Sequence, residues 1–328
     1  MDTASTGEPS ELLRFVLPDE TAACLFERIR AEPVHTGLSF LDRQNVGAGH
    51  GVEIIGSSET GKTELLIQAA VTCVLPQTWR GIPYEGCCGQ AIFIDLDSRL
   101  DPLRLFQVLD GRIHAARAAH GVQSSGPPDE EQALFEECLE RFHLATCQSS
   151  AEFLAALRSL PRLSESFQEA PAPRMLLIDN LAAFYCMDRP LQSIPARGSS
   201  SGGKGVPITM SAVHAAAAAH VKDFMRGHRA LLLATKWAPS DTRRKASEDG
   251  QEGEAASSSA SLWAPRDLVP FHWQAVLTHR VVLARKPSAS CEPSSTRILA
   301  RWQVPPGEHA TELHVRDDGT LPREANQL

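Results

Sequence analysis

Gly51-Val52-Glu53-Ile54-Ile55-Gly56-Ser57-Ser58-Glu59-Thr60-Gly61-Lys62-Thr63 decides how this chain is read. The short run over 52–55 is bounded by glycines and reads as a buried strand. The octet from Gly56 to Thr63 then satisfies G-x-x-x-x-G-K-[ST] at every fixed position. Glycines at that spacing let backbone N–H groups turn inward around phosphate oxygens, at the start of a helix whose dipole favours anions. Gly56, Ser57, Ser58, Glu59, Thr60 and Gly61 form the cradle, Lys62 reaches the β and γ phosphates, and the Thr63 hydroxyl can ligate Mg²⁺. Chance produces such a match in roughly one chain per hundred of this length. Here it stands directly between an apolar strand and a helix over 64–75, whose Leu65, Leu66, Ala69, Ala70, Cys73 and Val74 share one face before Pro76. That context points to a nucleotide, ATP with Mg²⁺.

Working outward, short apolar runs alternate with helical periodicity. Strands are expected over 52–55, 91–94, 142–147, 175–178 and 230–234, and helices from 102, over 151–160 and over 213–226. Such alternation implies an α/β fold with a mostly parallel sheet covered by helices on both faces. Further strands over 281–284, 298–302 and 312–315 carry no helices between them. They predict a few antiparallel strands at the C-terminal end. Met175-Leu176-Leu177-Ile178-Asp179 is an apolar run ending in an acid, where the second carboxylate of a Mg²⁺ shell belongs. Ile92-Phe93-Ile94-Asp95-Leu96-Asp97 places two more acids just past the strand that follows the P-loop helix. Either a water-activating base or a cap for the helix at Pro102 explains them.

The chain has 328 residues, 42% hydrophobic and 22% charged, enough for a large core and unlike collagen, disulfide scaffolds or wholly disordered chains. Its 32 basic and 40 acidic residues give a net charge of −8, so DNA binding by bulk charge is excluded and any nucleic-acid contact is local or shared with a partner. No stretch approaches the roughly 18 apolar residues of a membrane span, and the acidic start does not read as a secretory signal. The 8 cysteines contain no C-x-x-C pair; they read as reduced thiols, with a metal site as the second reading. Residues 1–35 are expected to be a short helical or linker segment and 36–328 a single core. Within that core, 121–131, 190–207 and 239–261 read as disordered loops.

The residues resemble the RecA-type recombinase family. Thr36-Gly37, Leu41-Asp42, Gly47, Gly51-Val52-Glu53 and the octet match the entry to its P-loop NTPase core. His279-Arg280, Arg285-Lys286, Thr296-Arg297-Ile298 and Asp318-Gly319 match its closing strands. The resemblance covers nearly the whole chain. Leu177 to Tyr185, Asp188-Arg189 and Cys73 to Pro76 are most similar to a paralogue of the eukaryotic recombinase. The resemblance implies a nuclear role in homologous recombination repair of double-strand breaks and stalled forks. The implied setting is a heteromeric complex with the recombinase's B, C and D paralogues, the D paralogue being the direct neighbour.

Departures from the active pattern shape the expectation further. Asp97 stands where active members carry a catalytic Glu, which retracts the carboxylate by about 1.5 Å; misplacement of that order costs about a hundredfold. Lys236 replaces a Gln that senses the γ-phosphate; it cannot accept a hydrogen bond from water, and is expected either to pair with phosphate or to lie on the surface. No Phe-x-x-Ala docking element precedes the core, so the chain is expected to receive a neighbour without donating to one, and not to form filaments. Arg197 and Lys204, and Arg243, Arg244 and Lys245, fall in the loops that face DNA in the family, giving weak, salt-sensitive binding to single-stranded or branched DNA. Three other readings stay open at this point: an autonomous DNA-dependent ATPase or strand-exchange enzyme, a small-molecule kinase, and a scaffold with vestigial nucleotide.

Overall fold

Strand β1 (Gly51–Gly56) is buried at every residue, because it lies inside a nine-stranded sheet with helices packed on both sides. A computed structural model describes residues 21–22, 26, 33–121, 128–165, 171–191, 209–238, 271–286, 295–307, 309–316 and 323–324. After a short helix α1 (Ser39–Asp42) and β1 come α2 (Lys62–Val74), a small hairpin of β2 (Thr78–Trp79) and β3 (Ile82–Pro83), and β4 (Gln90–Asp95). Next are α3 (Pro102–Ala119), α4 (Pro128–Glu140), β5 (Phe142–Thr146), α5 (Ser150–Glu165), β6 (Pro173–Asp179) and α6 (Tyr185–Leu191). The chain continues with α7 (Met210–His228), β7 (Leu231–Trp237), a 3-10 turn (Phe271–Ala275), β8 (His279–Arg285), β9 (Ser295–Val304), β10 (Thr311–Arg316) and β11 (Arg323–Glu324). The sheet order is β11-β10-β9-β8-β1-β7-β6-β4-β5. Pairing is parallel from β5 through β8 and antiparallel from β8 through β11. This is the RecA-like core with its antiparallel C-terminal strands.

Side-chain alternation sorts the core into two layers. Val52 and Ile54, with Phe93, Leu177, Leu233 and Leu283, face α2, α3 and α4. Ile92, Ile94, Leu176, Ile178, Leu232 and Ala234 face α5, α7 and Trp273. All residues from Leu65 to Val74 of α2 are buried, so this helix is an inner element rather than an amphipathic surface one. Each fully buried leucine there contributes about 2–3 kcal/mol. The P-loop is thereby mounted between a fully buried strand and a helix buried along most of its length.

Most elements extend a residue or more beyond the sequence reading, and four of the differences are the largest or bear on the site. The loop expected over 121–131 gives way to α4 at Pro128, whose fixed φ suits a first helical turn. Helix α5 runs past Leu160 to Glu165 with Pro161 inside it. Helix α6 reaches Leu191, into the start of the loop expected over 190–207. Strand β7 extends beyond Ala234 to Trp237, because β1 pairs with it up to Gly56↔Trp237. The loop expected over 239–261, and most of that over 190–207, lie outside the described residues. No helix of the described residues is long and apolar enough to cross a membrane. Burial pushes the Cys73 thiol well above its ordinary value, Cys138 to about 12, and Cys87 and Cys147 to about 11.

Candidate nucleotide site

The octet bridges the carboxyl end of β1 and the first residue of α2. Gly61 has φ +71°, the left-handed region, and a Cβ there would meet Ile298 Cδ1 at 2.6 Å. A Cβ on Gly56 would lie 2.5 Å from Thr60 Oγ1 and 3.0 Å from the Leu283 carbonyl. Both fixed glycines are therefore demanded by the local geometry as well as by the motif. Thr60 Oγ1 donates to the Ser57 carbonyl at 2.9 Å and braces the turn. Lys62 Nζ donates to the same carbonyl at 2.6 Å. Burial lowers the Lys62 ammonium to about 8, against the attraction of the Asp179 and Asp97 charges.

Asp179 sits at the end of β6, where the sequence reading put the second carboxylate. Its Oδ2 accepts a 2.6 Å hydrogen bond from Thr63 Oγ1, and its Oδ1 accepts one from Thr235 Oγ1 of β7. Burial raises its pKa even though both hydroxyls favour the charged form. Asp97 stands beside it past β4. Burial, with the Asp179 charge adding, pushes its carboxyl up to about 6. Asp97 Oδ2 accepts from Asn180 Nδ2 at 3.4 Å and pairs with Arg99 Nε at 3.3 Å, while the buried Oδ1 has no hydrogen-bond partner. The two explanations for the acids after β4 divide between residues. Asp95 accepts from the backbone of Asp97, Arg99 and Leu100 and so shapes the turn. Asp101 caps α3, which leaves Asp97 for the site.

Two carboxylates of raised pKa, one of them with an unpartnered oxygen, a hydroxyl and a lysine thus stand at the cradle. Hard oxygen donors in this arrangement suit a cation such as Mg²⁺, which would relieve the repulsion between Asp97 and Asp179. The turn and Lys62 suit phosphate. The residues present fit a magnesium-bound triphosphate.

Lys236 corrects the sequence reading. It neither reaches toward the octet nor lies on the surface; it is 1% exposed, inside β7. Its Nζ lies 2.5 Å from Glu53 Oε1, and Arg280 Nε lies 2.6 Å from Glu53 Oε2. The cause is register. Lys236 pairs with Ile55 and Arg280 with Glu53, so the side chains of all three charged residues share the sheet face opposite α2. A buried acid between two flanking cations meets the requirement that buried charge be paired.

Asn180, Thr235 and Glu53 were not singled out from sequence. Asn180 Oδ1 accepts from the Trp237 and Ala182 amides while its Nδ2 reaches Asp97, so one amide joins the ends of β4, β6 and β7. The discoverable signal was Glu53: an acid inside an apolar strand requires a partner. Arg197, Lys204, Arg243, Arg244 and Lys245 lie outside the described residues. The described ends of their two segments do meet. Ser211 Oγ lies 2.9 Å from His272 Nε2, and Trp273 Nε1 donates to His214 Nδ1 at 3.0 Å.

No family model matches the chain. It is 30% identical to the DNA repair protein XRCC2 of Mus musculus over 252 residues, which cover 76% of this chain and 77% of the relative. It is 28% identical to the DNA repair protein XRCC2 homolog of Arabidopsis thaliana over 323 residues, 90% of this chain and 86% of the relative. A shorter match of 134 residues, 28% identical and covering 40% of this chain and 36% of the relative, links it to the DNA repair and recombination protein RadA of Methanoculleus marisnigri. The RecA-like sheet and the octet agree with these relatives, and the chain belongs to the XRCC2 family of RecA-type paralogues.

Proposed function

We propose that this chain binds ATP with Mg²⁺ and acts in homologous recombination repair of DNA. Its setting is the nucleus, as a non-filamentous subunit of a heteromeric complex that supports recombinase assembly on single-stranded DNA. The observation that carries the nucleotide part is the 2.6 Å contact between Thr63 Oγ1 and Asp179 Oδ2. It brings the P-loop and the end of β6 together in the arrangement a metal-bound triphosphate uses. Bound Mg²⁺ would neutralise phosphate charge; this chain's own groups orient the triphosphate through the turn and Lys62. Hydrolysis is expected to be slow. Asp97 is a short carboxylate held off by Asn180 and Arg99, and Lys236 is tied to Glu53.

The partner part rests on the family and on β5. That strand closes the sheet at one margin, and its Leu144 is 44% exposed. Among the described residues no strand pairs with its outer edge, and such an edge takes an added strand from a neighbour, as the D paralogue would supply, with the B and C paralogues beyond it. One observation favours the second reading, an autonomous DNA-dependent ATPase: an Asp97 carboxyl near 6 is suited to accept a proton.

The test is titration of fluorescent ATP with Mg²⁺ into the purified chain and into its complex, beside Lys62→Ala. Removing the lysine is expected to weaken binding at least about a hundredfold, since a buried charge-assisted contact to phosphate is lost. Equal binding by the variant would defeat the nucleotide reading. Regular filaments of the lone chain on DNA would favour the autonomous enzyme.

A further inference from the structure

Helices α3 and α4 pack as an antiparallel pair. Phe106 meets Phe135 edge-on, with ring centroids 5.9 Å apart, and His114 stands beside Glu131. The sequence sets up both contacts. In α3 the apolar residues Leu105, Val108, Leu109 and Ile113 are buried. Asp110 and His114, one turn apart, therefore fall together on the outer flank of that helix, each about half exposed. In α4 Leu134 and Cys138 are buried, and Glu131 lies on their side of the helix, three and seven residues before them. Its side chain is thereby carried toward α3 and is 23% exposed.

Asp110, His114 and Glu131 each offer one metal-ligating atom, and these atoms all lie within 4.8 Å of one another. His114 Nε2 is 3.4 Å from Asp110 Oδ1, and His114 Nδ1 is 3.0 Å from Glu131 Oε1. Zinc–nitrogen and zinc–oxygen bonds of about 2.1 Å set neighbouring ligands of a tetrahedral ion about 3.4 Å apart, so the spacing suits an ion of that size.

A second observation separates the cluster from an ordinary ion triad. A protonated imidazole would aim an in-plane N–H at each carboxylate. Glu131 Oε1 is instead buried without a hydrogen-bond partner, close as the ring nitrogen is. Of the neighbouring cations, Arg80 pairs with Glu130 and Arg117 engages Tyr84. A buried carboxylate oxygen left unsatisfied beside an imidazole calls for an explanation, and a metal ion supplies one.

We propose that Asp110, His114 and Glu131 form a zinc site that staples α3 to α4, with water completing the shell. One imidazole nitrogen and two carboxylates make the mixed set that zinc accepts, whereas Mg²⁺ and Ca²⁺ favour oxygen alone. The site shares no residue with the octet and does not depend on the nucleotide reading.

The test titrates Zn²⁺ into the full chain by calorimetry with Mg²⁺ in excess, and follows Co²⁺ by visible absorption. One zinc ion per chain is expected, and at about a hundredfold excess over Kd it should raise Tm by about 3–5 °C. Loss of an outer-shell partner alone costs about ten- to a hundredfold in metal affinity, so His114→Ala and Glu131→Gln should each weaken binding at least about tenfold. His114 is half exposed and Glu131→Gln keeps the side-chain shape, so both variants are expected to fold, with ATP binding at the parent level. Co²⁺ is expected to show ligand-field bands without a thiolate charge-transfer band. Zinc affinity unchanged in both variants would overturn the proposal, as would a thiolate band, which assigns the ion to cysteine. Absence of zinc binding would also overturn it and leave His114 as a protonated bridge between two acids.

Discussion

Lys62 and Lys236 are both withdrawn from bulk water on the same sheet, yet they are held in opposite ways. The Lys62 ammonium rests on a carbonyl and a hydroxyl, Ser57 and Thr60. Its depressed pKa, about 8, records how little fixed negative charge offsets its burial. Lys236 is matched by Glu53 inside the ladder. The first lysine gains from any anion that arrives; the second already has one. The comparison teaches that one sheet can hold a lysine on neutral oxygens at the phosphate-cradle turn and commit another to a buried ion pair one strand away.

The sharpest way to break that comparison is to remove the acid of the second arrangement. Glu53→Gln leaves the Lys236 ammonium without its carboxylate and Arg280 without its own, and is expected to destabilise the chain by about 3–5 kcal/mol. Chemical denaturation would read this directly. Lys236→Met keeps Glu53 paired with Arg280 and is expected to cost far less. The combination Glu53→Gln/Lys236→Met should recover much of the single loss, because one unpaired cation is gone. If Glu53→Gln unfolds at the parent's denaturant midpoint, Lys236 is not held by charge.

Next in size is the pH response of nucleotide binding. Above about 8 the free Lys62 amine is neutral and no longer draws phosphate; below about 6 Asp97 is protonated, and the Asp179 carboxyl is shifted in the same direction by burial. Affinity for Mg²⁺-ATP is expected to be greatest between these limits and to fall about tenfold for each pH unit beyond them as the needed form is titrated away. Calorimetric or fluorescence titration across pH 5–9 checks this. A flat profile from 7 to 9 would mean that Lys62 is not the phosphate contact.

How much was legible follows from the same contrast. The P-loop and Asp179 could be read because a fixed spacing between a strand and a helix dictates the turn, and because an apolar run ending in an acid marks a strand end. The parallel sheet and its antiparallel end were legible from the alternation of runs. Lys236 was not, since its role depends on a strand continuing to Trp237 and on which face residue 236 then occupies. A shift of one residue reverses that face. Asn180 escaped for a similar reason. Its three partners come from β4, β6 and β7, which only the folded sheet brings together.

The smallest expected effect concerns Asp97 and sharpens the comparison from the binding side. Its carboxyl ionises in the fold at about 6 but in the unfolded chain near its ordinary 3.8, so the fold holds the proton more tightly than the unfolded chain does. At pH 7.5 both forms are ionised, and the fold carries the whole cost of the buried charge beside Asp179. Asp97→Asn removes that charge and is expected to stabilise the chain by about 1 kcal/mol, about 1–2 °C in Tm. The gain should be full above pH 6 and fade as the pH falls from 6 toward the ordinary carboxylate range, where the parent residue becomes neutral in both states. A structural anchor acting through Asn180 and Arg99 predicts the reverse, a lower Tm at every pH. A site that gains stability when its acid is neutralised is one held ready for a cation, and Mg²⁺ should then raise the Tm of the parent chain more than that of the variant.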